Sequence, residues 1–263
     1  MIKVFKTRVL TAVIGIPVLL GVLYLGGTYW KLLFALMGIL AFMEFSSMMS
    51  NIQLRPLLIP GLLLLLLLLF APDAYLYRGI FCILVLAVTI SVLKYPDLTI
   101  KDTAISLFGA GYIGFLLSYT IKIADLHQSF VIIILALVLT WGSDTGAYFV
   151  GKLWGRHKMT PALSPNKTWE GAAGGLIVSA IAAVIFFMVI DIEGFSLAYA
   201  LLLGIGASVL AQLGDFFISG AKRFFQVKDS GKIIPGHGGV LDRFDSFLLL
   251  VPLVYYFSIY IIM

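Results

Sequence analysis

The chain has 263 residues, of which 61% are hydrophobic and 12% are charged, and its formal net charge at pH 7 is +5. A soluble domain carries about 25% charged residues, so this composition excludes a soluble globular enzyme, a disordered chain and a nucleic-acid-binding protein with a broad basic face. We therefore expect an all-α, polytopic integral membrane protein. The single cysteine, Cys82, excludes an intrachain disulfide, and we expect it to be a small buried residue within an apolar run.

Apolar segments divide the chain into nine predicted membrane spans, because a spanning helix needs about 20 predominantly apolar residues. The first segment follows Lys3, Lys6 and Arg8 and resembles a signal peptide, but it lacks a convincing cleavage site, so we interpret it as a retained span. The third is short and bounded by Pro60 and Pro72, so the count lies between eight and ten, with nine preferred. The predicted limits are 9–26, 29–49, 57–72, 78–94, 104–121, 129–150, 169–190, 196–218 and 244–262.

Lysine and arginine residues fall mainly on one side of this predicted topology. The N-terminus and the even-numbered loops hold 15 of the 18 basic residues, whereas the odd-numbered loops hold only Lys31, Arg78 and Lys122. Cytoplasmic loops carry the excess of basic residues. We therefore predict a multi-pass protein of the cell (inner) membrane, with its N-terminus and active site cytoplasmic and its C-terminus outside.

Two predicted connections are much longer than the others, and both lie on the cytoplasmic side. They comprise residues 151–168 and 219–243 and together hold nine of the 18 basic residues. We therefore divide the chain into an N-terminal region of about five spans, 1–128, and a catalytic region, 129–263, that carries both loops.

Four aspartates lie near the predicted cytoplasmic ends of three spans. Asp144 belongs to span six and Asp215 to span eight, while Asp242 and Asp245 share one helical face if the ninth helix has begun there. Ionisable groups inside spans are costly and usually functional, and Mg²⁺ takes oxygen ligands from one or two carboxylates plus substrate phosphates. The four aspartates are therefore candidate metal ligands.

A structural role is the alternative for each of these aspartates. A buried ion pair with a nearby cation explains any one of them, although it explains four at one depth less readily. Glu44 in span two lies at a comparable depth, but we expect it to stand alone.

The end of the sixth loop has the features of an anion site. Ser164 or Thr168 can cap the helix of span seven, whose N-terminus presents free backbone N–H groups, and Lys167 adds a positive charge. An ordinary helix cap beside a lysine that extends toward the membrane surface explains this segment equally well.

The eighth loop carries the densest group of polar residues. Its glycines allow close approach of the backbone to a ligand, and its cations suit phosphate oxygens, which predicts a polyphosphate and metal site at the membrane surface. Neither a Walker A loop nor a G-x-G-x-x-G motif occurs. Attraction of anionic lipid explains the cations but leaves the buried aspartates unexplained. The candidate residues are Lys222, Arg223, Lys228, Asp229, His237, Gly238, Gly239 and Arg243.

The segment 219–245 resembles the signature of bacterial phosphatidate cytidylyltransferases (CDP-diacylglycerol synthases). Ala221 stands where the family usually has a larger apolar residue, and Asn166 replaces an expected basic residue in a loop resembling S-P-K-K-T-x-E-G. The resemblance covers residues 140–262 well and the first five spans only by hydropathy. The matching positions are Ser219, Lys222, Arg223, Lys228, Asp229, His237, Gly238, Gly239, Asp242, Arg243 and Asp245.

The resemblance implies a reaction in which CTP and phosphatidic acid give CDP-diacylglycerol and pyrophosphate, with Mg²⁺. It also implies a homodimer, a site open to cytoplasm and lipid, and a K⁺ ion beside the Mg²⁺. On this basis we expect Asp215 and Asp242, with Asp144 and Asp245 nearby, to hold Mg²⁺ against the CTP phosphates. The residues expected to neutralise the pyrophosphate and the lipid head are Lys167, Lys222, Arg223, Lys228, His237 and Arg243.

Two other functions compete with this expectation. A CTP-dependent lipid kinase of the dolichol or phytol kinase kind would carry the γ-phosphate into lipid, whereas a cytidylyltransferase carries the cytidine. An ion-coupled transporter binds Na⁺ or H⁺ at intramembrane aspartates near the midplane. Against a transporter, the aspartates gather at one predicted boundary, and the sequence shows no inverted repeat.

Overall fold

The computed structural model describes residues 2–190, 196–236 and 238–262. In this part of the chain it contains nine α-helices and one two-stranded antiparallel sheet, and a π-helical turn, Ser258–Ile262, follows the last helix. The sheet consists of β1 (Lys158–Thr160) and β2 (Ser164–Thr168). The helices are α1 (Ile2–Leu25), α2 (Gly27–Asn51), α3 (Leu58–Phe70), α4 (Asp73–Leu93), α5 (Ile100–Ala124), α6 (Ser129–Trp154), α7 (Trp169–Ile190), α8 (Leu197–Phe224) and α9 (Leu241–Phe257).

Six of the described helices are long and apolar enough to cross a membrane, namely α2 and α4 to α8. The apolar parts of α1 and α3 that the structure describes are shorter, Val13–Leu25 and Leu58–Phe70. The prediction of an all-α, polytopic membrane protein is therefore confirmed, and the number of nine spans stays a prediction.

Two helices extend beyond the predicted spans at the ends that carry the motif residues. Helix α8 continues six residues past position 218, so Lys222 and Arg223 lie in its last turn and not in a loop. Basic side chains suit a helix C-terminus, where the backbone carbonyls carry partial negative charge. Helix α9 begins at Leu241, so Asp242 and Asp245 both lie in the helix, as the shared-face argument requires.

The chain forms two compact units, which we describe separately. The first unit comprises Met1–Asp125 and Lys222–Arg243, and the second comprises Leu126–Ala221 and Phe244–Met263. Residues 222–243, which the sequence-based division assigns to the C-terminal region, thus group with the first five helices.

In the first unit, α2 and α5 pack against each other and against α3. Glycines permit this close packing, because a Cβ atom at Gly109 of α5 would collide with the ring of Phe45. Helix α4 is mostly exposed, with only Ile83 and Ala87 buried among its residues. Cys82 is exposed, and the expectation that it is buried is wrong. An apolar run in a membrane protein can face lipid, and its hydropathy alone does not distinguish lipid from protein neighbours.

In the second unit, small residues bring the helices that carry aspartates close to their neighbours. A Cβ atom at Gly146 of α6 would lie 2.5 Å from the carbonyl oxygen of Gly174 in α7. One at Gly204 of α8 would lie 2.5 Å from the Cα atom of Ala180. One at Gly214 would collide with the carbonyl oxygen of Asp245 in α9. Such small-residue contacts are typical of membrane helix packing, and they bring α6, α7, α8 and α9 together.

Candidate active site

Lys167 and Asp215 form an ion pair in the second unit. The Nζ atom of Lys167 lies 2.5 Å from Oδ2 of Asp215, and the two side chains are 25% and 30% exposed. The same ammonium lies 3.9 Å from the ring centroid of Phe216, a geometry that favours a cation. Ser219 donates to the other oxygen of Asp215 at 3.2 Å. The β2 strand thus places a positive charge directly on an aspartate of α8.

The start of α9 links the other two aspartates of this unit. The hydroxyl of Ser246 donates to Oδ1 of Asp144 at 3.3 Å, and its backbone N–H donates to Oδ1 of Asp245 at 2.9 Å. These bonds join Asp144 of α6 to Asp245 of α9 through Ser246, and the close contact of Gly214 with the backbone of Asp245 brings α8 against the same part of α9.

The β-hairpin that leads into α7 was not predicted, and it positions the cap of that helix. Thr168 is the residue that caps α7, since its hydroxyl accepts from the N–H of Gly171 at 3.1 Å. Ser164 pairs instead with Thr160 at the start of β2. Glu170 accepts from the backbone N–H groups of Arg156 and His157, which fastens the chain before β1 to the first turn of α7.

Lys222 and Asp242 form the corresponding pair in the first unit. Their Nζ and Oδ1 atoms are 2.7 Å apart, and the side chains are only 15% and 6% exposed. Burial favours a higher pKa for Asp242, but Lys222 and the N–H groups of Gly239 and Ser230 outweigh it and lower the pKa below its usual value. Asp242 precedes the predicted span 244–262, at the first turn of α9. It is therefore a buried, charged acceptor.

We call residues 225–240, which join α8 to α9, the signature loop. Asp242 organises this loop, because its Oδ2 accepts from the N–H groups of Ser230 and Gly239 at 2.8 and 3.1 Å and lies 3.0 Å from the Ser230 hydroxyl. Gly238 has a φ of +90°, which favours glycine, and a Cβ atom there would lie 2.9 Å from the same oxygen.

A cavity of about 280 Å³ opens beside these glycines within the first unit. Its lining combines backbone with two cations and one carboxylate, a composition that suits an anionic ligand held partly by backbone groups. The residues that line it are Asp229, Gly231, Lys232, Ile234, Gly236, Gly238 and Arg243.

The remaining candidate residues are placed less specifically. Arg223 and Lys228 are exposed at the end of α8 and in the signature loop. His237 lies outside the described residues. Thus Asp215 and Asp242 have the ion-paired environments that the structural alternative describes, each with a lysine from the predicted phosphate-binding set.

The expectation that Glu44 stands alone is wrong. Its carboxylate in α2 accepts from the N–H groups of Val240 and Leu241 and from the hydroxyl of Ser230. The one signal in the sequence was the energetic cost of a carboxylate within an apolar helix, because such a group requires hydrogen-bond or ion-pair partners.

The described residues contain no group of three or more histidine, cysteine, aspartate or glutamate side chains arranged to hold a metal ion. The donor chemistry nevertheless fits Mg²⁺, which is usually bound through one or two carboxylates and completes its coordination with substrate phosphates and water. The candidate carboxylates are Asp144, Asp215 and Asp245 in the second unit and Asp242 in the first.

The fold and these pairs define the class of the protein: a polytopic membrane protein with a lysine-paired aspartate in each of its two units and a glycine-rich, basic loop in the first. The sequence matches the model of the cytidylyltransferase family over residues 6–261. The chain belongs to this family, and the resemblance seen in the signature segment is confirmed.

Individual relatives match along nearly their full length. The phosphatidate cytidylyltransferase of Bacillus subtilis (strain 168) is 39% identical over 264 residues, which cover 95% of this chain and 96% of that protein. Those of Staphylococcus haemolyticus and Staphylococcus saprophyticus are 36% and 37% identical over 260 residues, which cover 95% of this chain and 97% of each relative.

Proposed function

We propose that the protein is a phosphatidate cytidylyltransferase, a nucleotidyltransferase that transfers CMP from CTP to phosphatidic acid in phospholipid biosynthesis. The products are CDP-diacylglycerol and pyrophosphate. The observation that carries this proposal is the full-length match to relatives of that name, at 36–39% identity over 95% of the chain.

The proposed reaction is a single nucleotidyl transfer. An oxygen of the lipid phosphomonoester attacks the α-phosphorus of CTP, a new P–O bond forms, and the bond from the α-phosphorus to the bridging oxygen breaks as pyrophosphate leaves. A phosphomonoester has a second pKa near about 6, so at neutral pH the attacking group is already largely a dianion. The reaction therefore needs no general base, and its main requirements are charge neutralisation and in-line placement.

The cations of the two units are suited to these requirements. Lys222 lies in the last turn of α8, and Arg243 lines the cavity beside the glycines of the signature loop. Lysine supplies a point charge and arginine a two-pronged donor for phosphate oxygens. We assign neutralisation of the CTP phosphates, the leaving pyrophosphate and the lipid head to Lys167, Lys222, Arg223, Lys228, His237 and Arg243. Ser164, Thr168, Asp229, Gly238 and Gly239 are assigned to substrate binding.

We also propose that Mg²⁺ is held by carboxylates from the set Asp144, Asp215 and Asp245 of the second unit and Asp242 of the first. When bound, the metal would neutralise phosphate charge and orient CTP. Lys167 and Lys222 pair with Asp215 and Asp242 and hold these two carboxylates in fixed positions. A K⁺ ion beside the Mg²⁺ belongs to the same proposal.

Two labelled forms of CTP test the reaction. With phosphatidic acid and Mg²⁺, the purified protein should carry label from the α-phosphate into lipid and release label from the γ-phosphate as pyrophosphate. Chromatography of the lipid and aqueous phases measures both. A γ-label that enters the lipid would contradict the proposal in favour of a lipid kinase, and ion flux in proteoliposomes without pyrophosphate release would contradict it in favour of a transporter.

The orientation of the chain can be tested with its single cysteine removed. Two substitutions, Lys158→Cys and Gln128→Cys, are made separately in a Cys82→Ser background. Position 158 lies on the hairpin that we propose to be cytoplasmic, and position 128 lies between α5 and α6 on the proposed outer side. Both positions are exposed. An impermeant maleimide applied to intact cells should label Gln128→Cys at once and Lys158→Cys only after permeabilisation. The opposite pattern would contradict a cytoplasmic active site.

We further propose that the protein resides in the cell (inner) membrane as a homodimer. The exposed apolar surface of α4 supports an environment of lipid or a second copy around the first unit. Native mass spectrometry from nanodiscs distinguishes a dimer from a monomer.

A further inference from the structure

Glu44 lies in α2, far in sequence from the signature segment, and the proposed reaction gives it no role. Glu44 is only 4% exposed. One carboxylate oxygen accepts from the N–H of Val240 at 2.9 Å, and the other accepts from the N–H of Leu241 at 2.9 Å and from the hydroxyl of Ser230 at 3.1 Å. All three donors lie in the signature loop or at the first residue of α9.

Ser230 connects Glu44 to Asp242. Its hydroxyl lies 3.0 Å from Oδ2 of Asp242, and its N–H donates to the same oxygen at 2.8 Å. Because a hydroxyl has one proton, Ser230 can donate it to only one of the two carboxylates at a time. The backbone of Ser230 therefore holds Asp242 while its side chain completes either carboxylate.

The loop backbone encloses the Glu44 carboxylate on two sides. A Cβ atom at Gly231 would lie 2.5 Å from Oε1 of Glu44, and a Cβ atom at Gly239 would collide with Oε2 and with the Ser230 hydroxyl. Gly239 belongs to the signature itself. The absence of side chains at both positions is thus required by the approach of the loop to Glu44.

We propose that Glu44 is a positioning residue for the active site. It accepts from the N–H groups of Val240 and Leu241 at the start of α9, where a helix has unpaired donors and partial positive charge. Through these groups and Ser230 it holds the Asp242 carboxylate in the orientation that turnover needs. This inference rests on the proposed role of Asp242.

The variant Glu44→Gln tests the inference, because an amide of the same size has only one acceptor oxygen. We expect kcat at saturating CTP and phosphatidic acid to fall about 10- to 100-fold, as for changes to groups that orient metal ligands. We also expect the Mg²⁺ concentration for half-maximal thermal stabilisation of the purified protein to rise about tenfold. The second measurement needs no turnover.

Asp102→Asn is the matched control for loss of a buried anchor. Asp102 lies in the same unit, is 3% exposed, and accepts from the N–H groups of Arg55 and Thr99 and from the Thr99 hydroxyl at the start of α5. This variant should lose thermal stability to a similar extent, but its kcat and Mg²⁺ dependence should stay within about twofold of the wild-type values, because it removes no contact of the active-site loop.

Wild-type kcat and Mg²⁺ dependence in Glu44→Gln would overturn the inference, as would an equal loss of kcat in Asp102→Asn. If Glu44→Gln does not fold, Ser230→Ala tests the same link, and a wild-type kcat in that variant would overturn it. Asp242→Asn, assayed in parallel, separates the two proposals. If Asp242→Asn is active, the proposed site and this inference are both overturned. If Asp242→Asn is inactive and Glu44→Gln has wild-type activity, the inference alone is overturned.

Discussion

Replacing Asp242 with asparagine should lower CTP-dependent formation of CDP-diacylglycerol by at least about 100- to 1,000-fold, a loss typical of removing a preorganised charged group from an active site. Asparagine has the size of aspartate but only one acceptor oxygen. Its amide would therefore direct hydrogen atoms toward Lys222 or toward the donors of Ser230 and Gly239. The initial rate with labelled CTP, in detergent or in proteoliposomes, measures the effect.

A second variant separates catalysis from stability in this experiment. Removing one partner of a buried ion pair typically costs about 3–5 kcal/mol, whereas removing both costs less. Asp242→Asn should therefore unfold at a lower temperature than the wild type, and Asp242→Asn combined with Lys222→Met should recover part of that stability. The double variant should remain inactive. Recovery of activity together with stability would show that Asp242 acts only as a structural partner of Lys222.

Replacing Lys167 with methionine should reduce kcat/KM for CTP about 100-fold, and most of this reduction should come from a higher KM for CTP. Methionine keeps the apolar length of the side chain, but it removes the charge that lies 2.5 Å from Asp215 and 3.9 Å from the ring centroid of Phe216. Asp215 would then carry an unbalanced negative charge in the region where phosphates are proposed to bind. Steady-state kinetics over a range of CTP concentrations measure this change.

Lys158→Met is the matched control for this variant. Lys158 lies on β1, pairs in register with Thr168 at the end of β2, and has an exposed side chain. Its loss should change turnover by no more than about twofold, as for most surface substitutions. If the basic loops act only by attracting anionic lipid, the two lysines are equivalent. Equal losses in both variants would contradict the proposed role of Lys167.

Hydropathy predicted most of the helical architecture, and it did so best where the apolar segment and the helix have the same limits. The predicted span 169–190 has the same limits as α7. It failed at α8, because a helix can continue past the apolar segment, as α8 does through Lys222 and Arg223. It also gave no sign of the hairpin, whose strands have three and five residues, and β2 contains Pro165 and Asn166, which are both unfavourable in strands.

The sequence motifs predicted which residues belong to the candidate site, but they did not predict which of these residues contact one another. All four ion-paired residues were candidates from the sequence, but the pairing of Asp215 with Lys167 and of Lys222 with Asp242 joins positions 48 and 20 residues apart. The contact of Glu44 with Ser230 joins residues 186 positions apart. Local periodicity carries no information about such pairs, which depend on how the helices pack.

The same separation has a consequence for how the protein is made. Chains are synthesised from the N-terminus at about 5–20 residues per second, so roughly 10–40 s pass between the synthesis of Glu44 and that of Ser230. During that interval α2 carries a carboxylate whose three eventual donors do not yet exist. A nascent chain that has not yet reached Leu241 thus has α1 to α8 but lacks donors that the Glu44 carboxylate requires, so the buried end of α2 is completed only when the start of α9 has been made.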